Sequence, residues 1–429
     1  MASKTDAKAL GTYRLLNSEY VNWEPIVAAH VQKTMERVVE AGPAIVAHDS
    51  TDFSFGGEVR REGLGRIHGG DQGFLAHTAL AMSADGKRLP LGVLGFAPWV
   101  RPEKTRRKKA NGKKKSGSDY AKETGKESDR WFEMVEKVGG QLKDMLVHVM
   151  DREADAYPLL VQLAQGGHRF VVRASKDRVV QAAEDGAPTE RLNEALVRVE
   201  SVDNFEVPVS RRAASTIPGK AKTFGARPAR TATVEISAMH LRVQKPRYQK
   251  DVPKWLGLNV VHVREVDPPQ GVQPVDWQLF TLEPVNTVEN IMAVIEFYRA
   301  RWLIEEFFKA LKTGCSFEQK QHESLGALLI ALAICLPIAW SMLLLRTVAR
   351  SQPELPAIAV LNPVQIEVLQ ACSPKLVGPH PTVGDVLRCV ASLGGHLKSN
   401  GEPGWLVLSR GMNYLLALEQ GWVAARQKK

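Results

Sequence analysis

The stretch YRARWLIEEFFKALKTG, residues 298–314, sets charged side chains at helical spacing. Tyr298, Arg301, Glu305 and Lys312 follow one another at intervals of three, four and seven residues. At about 100° per residue they fall within about 60° of arc, so one helix face presents a phenol, two cations and a carboxylate together. Asn286 opens this helix with Glu289 at the capping-box position, and Gly314 stops it after Lys312. Many charged helix stripes are solvated ion pairs at i,i+4. The other use of such a face is to hold a divalent metal through the carboxylate while its neighbours grip a substrate's phosphates.

Two more carboxylates stand at the ends of apolar runs. Residues 44–48 (AIVAH) lead into Asp49 within AIVAHDSTDFSF, and residues 145–150 (MLVHVM) lead into Asp151 within VMDREADAY. Both runs read as central strands. Carboxylates from strand, strand and helix form a hard-oxygen site for Mg²⁺ or Mn²⁺. Two such ions serve an in-line phosphoryl displacement. Asp52, three residues past Asp49, is expected on the other side of its strand, and Glu306 about 100° off the helix face. Glu153 and Asp155 are expected at most to orient arginines. His48 and His148, flanking the acids, are expected to pack inward without a metal role.

Around these segments the order is strand, hairpin, helix, strand. Residues 74–83 and 89–100 form the hairpin about Ala84-Asp85-Gly86-Lys87, and Ser128 caps a helix over 128–138. From about 157 to 285 a short helix is followed by Val-rich strands at 168–173, 204–210, 231–243, 259–264 and 277–281, a mostly antiparallel unit rich in arginine, including Arg211-Arg212. Residues 325–345 carry no charge and are long enough to span a bilayer. Following a short amphipathic helix at 320–323, they are read as a buried core helix, with no membrane partner. Helices are expected at 382–393 and from Trp405 towards Gln427. The last carries an apolar stripe of Leu408, Met412, Leu415, Leu416 and Trp422.

Composition sets the outer limits. The 429 residues are 44% hydrophobic and 24% charged, which excludes collagen-like, mucin-like and wholly disordered chains and suggests two or three domains. Cys315, Cys335, Cys372 and Cys389 are scattered, so neither a zinc site nor a disulfide framework is expected. The N-terminus lacks the apolar core of a signal peptide, in keeping with a cytoplasmic protein. The net charge is +10, and residues 101–115 hold nine cations and one acid, eight of those ten charges. That run reads either as a binding segment for a polyanion's backbone, with strong salt dependence, or as a solvated loop with no role.

Taken together, Tyr298-x2-Arg301-x3-Glu305-x6-Lys312, AIVAHDSTDFSF, VMDREADAY and RFVVRASK (169–176) resemble the blocks of the cut-and-paste bacterial DDE transposases with a Y-R-E-K signature, the insertion-sequence family numbered four. The likeness runs from about Gly11 to Trp422. It implies an α/β fold: a ribonuclease H-like catalytic core interrupted by a mostly antiparallel β insertion, with a helical C-terminal domain. The implied boundaries are 1–43 for the remnant of an N-terminal helical DNA-binding region, 44–156 and 286–345 for the core, 157–285 for the insertion and 346–429 for dimerisation. Asp49, Asp151 and Glu305 then resemble the family's catalytic metal ligands for two Mg²⁺ or Mn²⁺ ions. Tyr298, Arg301 and Lys312 resemble its phosphate-gripping residues. Arg173, Lys309 and Trp277 fall at DNA-facing positions, Trp277 where the family sets a wedge for a flipped base; a strand-core Trp is the equal alternative.

The resemblance implies transposon-end and target DNA as partners, on the bacterial nucleoid. It also implies a homodimer, with the C-terminal helix stripe as its surface or, equally, as packing within the chain. Family members carry a longer helical end-recognition region than residues 1–43 supply. Two other readings therefore stand beside the active transposase: an N-terminally shortened form that inhibits a full-length partner by mixed dimerisation, and a structure-selective nuclease on the same core.

Overall fold

The computed structural model describes residues 6–57, 59–67, 71–101, 129–184, 186–211, 215–216, 223–224 and 226–427. Ser128, Arg212 and the basic run after Arg101 lie outside the described residues. Helices α1 (Asp6–Leu16) and α2 (Trp23–Ala41) lead into β1 (Ala44–Phe55). The two-residue β2 (Gly65–Arg66) precedes the hairpin of β3 (Gln72–Ser83) and β4 (Pro90–Trp99). Then come α3 (Asp129–Gly139), β5 (Leu146–Met150), α4 (Tyr157–Gln165) and β6 (Arg169–Arg173). The middle of the chain holds β7 (Val179–Ala182), β8 (Thr189–Arg191), α5 (Leu192–Val197), β9 (Asp203–Val209), β10 (Ser215–Thr216), β11 (Thr223–Phe224), β12 (Arg230–Gln244), β13 (Trp255–Glu265) and β14 (Asp276–Thr281). Six helices follow: α6 (Val288–Ala300), α7 (Trp302–Lys309), α8 (Leu325–Ser351), α9 (Pro363–Cys372), α10 (Val383–Leu393) and α11 (Trp405–Gln427).

The fold is mixed α/β, with a large, mostly antiparallel sheet and a helical C-terminal region. Its strand order is β2–β3–β1–β5–β6–β14–β13–β12–β7–β8, with β4 added on β3 and β9 on β12. Strand β1 is antiparallel to β3 and parallel to β5, which is parallel to β6. From β6 onward every pairing is antiparallel, beginning with β14. The Val-rich middle strands thus extend the same sheet through β14 and β6.

Residues 44–48 are buried throughout because β3 and β5 flank them and helices cover both faces. The pairing of β1 with β5 stops at His48 opposite Met150. Beyond it β1 keeps β3 on one edge only, and the other edge turns to the α7 region, where the Ser54 amide donates to Glu318 Oε1 at 2.9 Å.

Helix α8 is apolar on nearly all sides because α1, α2, β4, α7, α10 and α11 pack around it. Among the described residues it is the one helix long and apolar enough to cross a membrane, and most of its side chains are buried inside the chain. Residues 320–323, expected as a short helix, have no helical structure.

The expected helix over 286–312 is divided. Its cap is Thr287, whose hydroxyl accepts from the Asn290 amide at 3.3 Å. The turn tightens at Arg301, whose amide donates to Tyr298 O at 3.2 Å. The end widens into a π turn over Ala310–Gly314, where the Cys315 amide reaches back five residues to Ala310 O at 2.8 Å.

The apolar stripe of the last helix packs largely within the chain. Leu408, Met412 and Leu415 are buried within the chain against α9, α10 and the π turn. Trp422 is half-buried, its indole N–H donating to Glu367 at 3.3 Å. Gly394 and Gly411 allow this packing, since a Cβ on either would collide with the backbone of the facing helix. Leu408, Met412 and Leu415 are therefore core, the within-chain alternative, while Leu416 and Trp422 are half-buried.

Candidate active site

Asp49 stands one residue past the last β1–β5 pair, and Asp151 is the first residue after β5. Parallel pairing therefore brings both acids to the same end of the sheet. Asp49 Oδ1 accepts from the Ser50 amide at 2.8 Å. Asp151 has extended backbone angles and starts a 3₁₀ turn, which lifts its carboxylate off the strand end.

Glu305 reaches this point from α7. The tight turn before that helix inserts the Arg301 guanidinium between the three acids, 3.3 Å from Asp49 Oδ2, 3.5 Å from Asp151 Oδ2 and 3.0 Å from Glu305 Oε1. The Tyr298 hydroxyl donates to Asp151 Oδ1 at 3.2 Å and accepts from Arg173 Nη1 at 3.1 Å. Arg173 also donates to Asp276 O at 2.9 Å and lies 4.0 Å from Asp151. The Trp277 ring, from β14, is tilted against Tyr298 at 5.4 Å.

The electrostatics follow from burial. Burial pushes the Asp49 carboxyl up to about 6 against the pull of Arg301, and Glu305 rises for the same reason against the same opposition. Burial and the neighbouring Asp151 carboxylate raise the Tyr298 phenol, so it remains a hydrogen-bond donor at neutral pH. Burial alone would lower Arg301. Asp151, Tyr298, Asp49 and Glu305 together reverse this and raise it, so the guanidinium stays charged.

The other expected residues divide cleanly. Lys312 does not join Glu305, because seven residues carry it about 10 Å farther along the helical run. It lies 3.4 Å from Asp52 and 3.5 Å from Glu318, over the Phe53 ring. Asp52, expected on the far side of β1, is thus within reach of Lys312 along the free edge of that strand. Lys309 is half-exposed, pairs with Glu306 at 2.6 Å and sits over the Trp302 ring, with its charge felt at Glu305 one turn back. Asp155 is buried and binds Arg178 along with the amides of Ser175 and Lys176, a bracket between the turn after β5 and the loop after β6. The involvement of Glu318 could not be read beforehand, since its spacing from Lys312 follows no regular period.

The donors are carboxylate oxygens, partly open to solvent, which fits a hard divalent cation such as Mg²⁺ or Mn²⁺. Among the described residues no three His, Cys, Asp or Glu side chains already stand as a metal cage. The three acids here surround a guanidinium, and an ion would compete with it for the same oxygens.

Acids gather at the end of a parallel strand pair, beside arginines and a phenol, on an α/β fold. Residues 133–340 match the family described as the transposase DDE domain, a span just under half of the chain. The matched span includes Asp151, Tyr298, Arg301, Glu305 and Lys312, with Asp49 lying ahead of it. This match supports a DDE transposase. Among solved structures the chain is similar to the piggyBac transposase in a synaptic complex with hairpin DNA, determined by cryo-EM, at 11% identity and a TM-score of 0.34. The similarity covers 99% of this chain and 62% of that one.

Proposed function

We propose that this chain is a cut-and-paste DDE transposase of the Y-R-E-K type that cuts DNA at transposon ends and joins them to a target through a hairpin step. The observation that carries this reading is the convergence of Asp49, Asp151 and Glu305 on one buried guanidinium at 3.0–3.5 Å. The strand order β4–β3–β1–β5–β6, antiparallel through β1 and parallel after it, supports a ribonuclease H-like core.

Asp49, Asp151 and Glu305 would hold two Mg²⁺ or Mn²⁺ ions, which in such a site favour the deprotonated nucleophile and neutralise the leaving oxygen. The remaining residues bind and orient. Arg301 would offer a phosphate a planar two-pronged donor beside such ions. Tyr298 and Arg173 form a second donor pair on the Asp151 side. Trp277 offers a ring on which a displaced base can stack, and Lys312 and Lys309 extend the cationic edge along the strand. In the first step the oxygen of water joins phosphorus and the 3′ oxygen leaves. In the second that 3′ oxygen joins the phosphorus of the opposite strand, the 3′ oxygen of the flanking DNA leaves with the proton, and the hairpin closes. Pairing of two copies through an outward side of α11 belongs to this reading.

The test is incubation of the purified protein with Mn²⁺ and a transposon-end duplex, with Glu305→Ala alongside. Nicking followed by hairpin product in the unaltered protein only is expected. No nicking, or equal nicking by both proteins, would reject the reading.

A further inference from the structure

Behind the acids, on the other face of the sheet, lies a row of buried imidazoles. His48 of β1, His77 of β3 and His148 of β5 are fully buried, and His168, just before β6, nearly so. Ser50 Oγ lies 2.9 Å from His77 Nδ1, His77 Nε2 lies 3.3 Å from His48 Nδ1, and His48 Nε2 lies 2.8 Å from His148 Nδ1. Each nitrogen of His48 faces a different ring, so the imidazoles do not converge on one point as metal ligands do. Burial drives His77 and His148 down to about 3, so both are neutral, and the two nitrogens of His48 meet only these two rings.

A neutral imidazole has one donor and one acceptor, so a chain of them has a direction. If one ring changes tautomer, every ring must. The far end fixes which way the chain runs. His168 Nε2 lies 2.6 Å from Glu136 Oε1, and a carboxylate accepts, so Nε2 carries a hydrogen, and in the Nε2–H tautomer Nδ1 is an acceptor. His168 Nδ1 and His148 Nε2 are both buried without a hydrogen-bond partner. Their rings stand edge-on at 5.8 Å, close to the 5.6 and 5.1 Å of the two bonded pairs. With that tautomer at His168, a hydrogen on His148 Nε2 suits both orphans at once.

We propose that His48, His77 and His148 are positioning residues for the acid site, locked as Nε2–H tautomers in a one-directional chain running from the Ser50 hydroxyl to His168. The positioning role rests on the metal-site reading above; the direction of the chain does not. The chain ties β3, β1 and β5 together directly behind the acids. Its His48–His148 bond sits one residue before Asp49 and three before Asp151, and so sets the spacing of the two strand ends. At its near end Ser50, held by His77, gives its amide to Asp49 Oδ1. A trio of apolar side chains would fill the same space without fixing the strands laterally, because hydrogen bonds are directional and apolar contacts are not.

Two measurements on the full chain test this. Long-range ¹H–¹⁵N correlation spectra of histidine-labelled protein at pH 8 should show Nε2–H on all three rings, and Nδ1–H on any of them overturns the stated direction. Calorimetric Mn²⁺ titration of His148→Asn and His148→Phe then separates positioning from packing. Asn keeps an acceptor near the Nδ1 position, whereas Phe keeps the ring volume without it. Asn should bind Mn²⁺ within about threefold of the unaltered protein and Phe at least about tenfold more weakly, the scale on which outer partners of metal ligands act. A folded Phe variant with unaltered Mn²⁺ affinity, or an Asn variant as weak as Phe, overturns the positioning role. If the unaltered protein binds no Mn²⁺ while all three rings read Nε2–H, the metal-site reading and the positioning role fall together and the chain's direction stands.

Discussion

Arg301 Nη2 lies 3.0 Å from Glu305 Oε1, one turn farther along the same helical run, and the same guanidinium touches Asp49 and Asp151. Arg301 is thus the cation that holds the acid cluster together in the protein alone. Removing one member of a buried charge cluster leaves its partners uncompensated, at a cost of about 3–5 kcal/mol. Arg301→Ala should lower the melting temperature in chelator. Mn²⁺ should then raise it more in the variant than in the unaltered protein, because the ion no longer competes with the guanidinium. Scanning calorimetry with and without Mn²⁺ reads both effects, and equal Mn²⁺ shifts in the two proteins would contradict the competition.

Asp49→Asn should separate stability from function. Asp49 is held up at about 6, above its ordinary 3.8, so its protonated form is the one the fold favours. That contribution is complete below about pH 4 and is lost as pH rises through 6, a swing of up to about 3 kcal/mol. Asparagine does not ionise and escapes the loss. In chelator, the variant should be more stable than the unaltered protein at pH 7.5 by about 1–3 kcal/mol, with the gap closing towards pH 4. Urea unfolding at the two pH values measures this. DNA nicking by the same variant should be abolished.

The same shift sets a pH limit on ion binding. A divalent cation binds the carboxylate form, so below about pH 6 a proton competes at Asp49. Mn²⁺ affinity should be level above pH 7 and fall up to about tenfold per unit below 6. Titration calorimetry between pH 5 and 8 should also find protons released on binding at the lower end and none at the upper. A flat profile across that range would show that Asp49 does not hold the ion.

The parts legible in the sequence were those with local periodicity. The alternation and apolar runs around Phe74 and Met145 place β3 and β5 to within two residues, the run at Ala44 marks the start of β1 although the strand continues to Phe55, and the spacing of Tyr298, Arg301 and Glu305 brings those three side chains together. Lys312 was less legible, since the tight turn at Arg301 and the π turn at Ala310 depend on packing against β1 and α8 and leave no mark in the spacing. Helix α9 is not among the helices expected from periodicity, although Pro363 stands in its first turn, where a missing amide is harmless, and Asn362 caps it. The histidine chain was legible only as two inward-facing residues. Its other members come from β3 and the start of β6, joined by strand register that no single segment records.

The apolar stripe of α11 leads to the last prediction. Leu415 is fully buried between helices of its own chain, with Leu408 and Met412 on the same side. A leucine in such a place stabilises the fold rather than an assembly. Leu415→Ala should cost about 2–5 kcal/mol through lost burial and the cavity left behind. Tyr414 is about half-exposed one residue away, so Tyr414→Ala tests the outward side of the same helix. Denaturant unfolding and light scattering on both variants separate the two faces. The leucine variant should lose stability with its mass unchanged. Should it instead keep its stability and change its mass, the stripe would be an interface between copies and the packing described for α11 would be wrong.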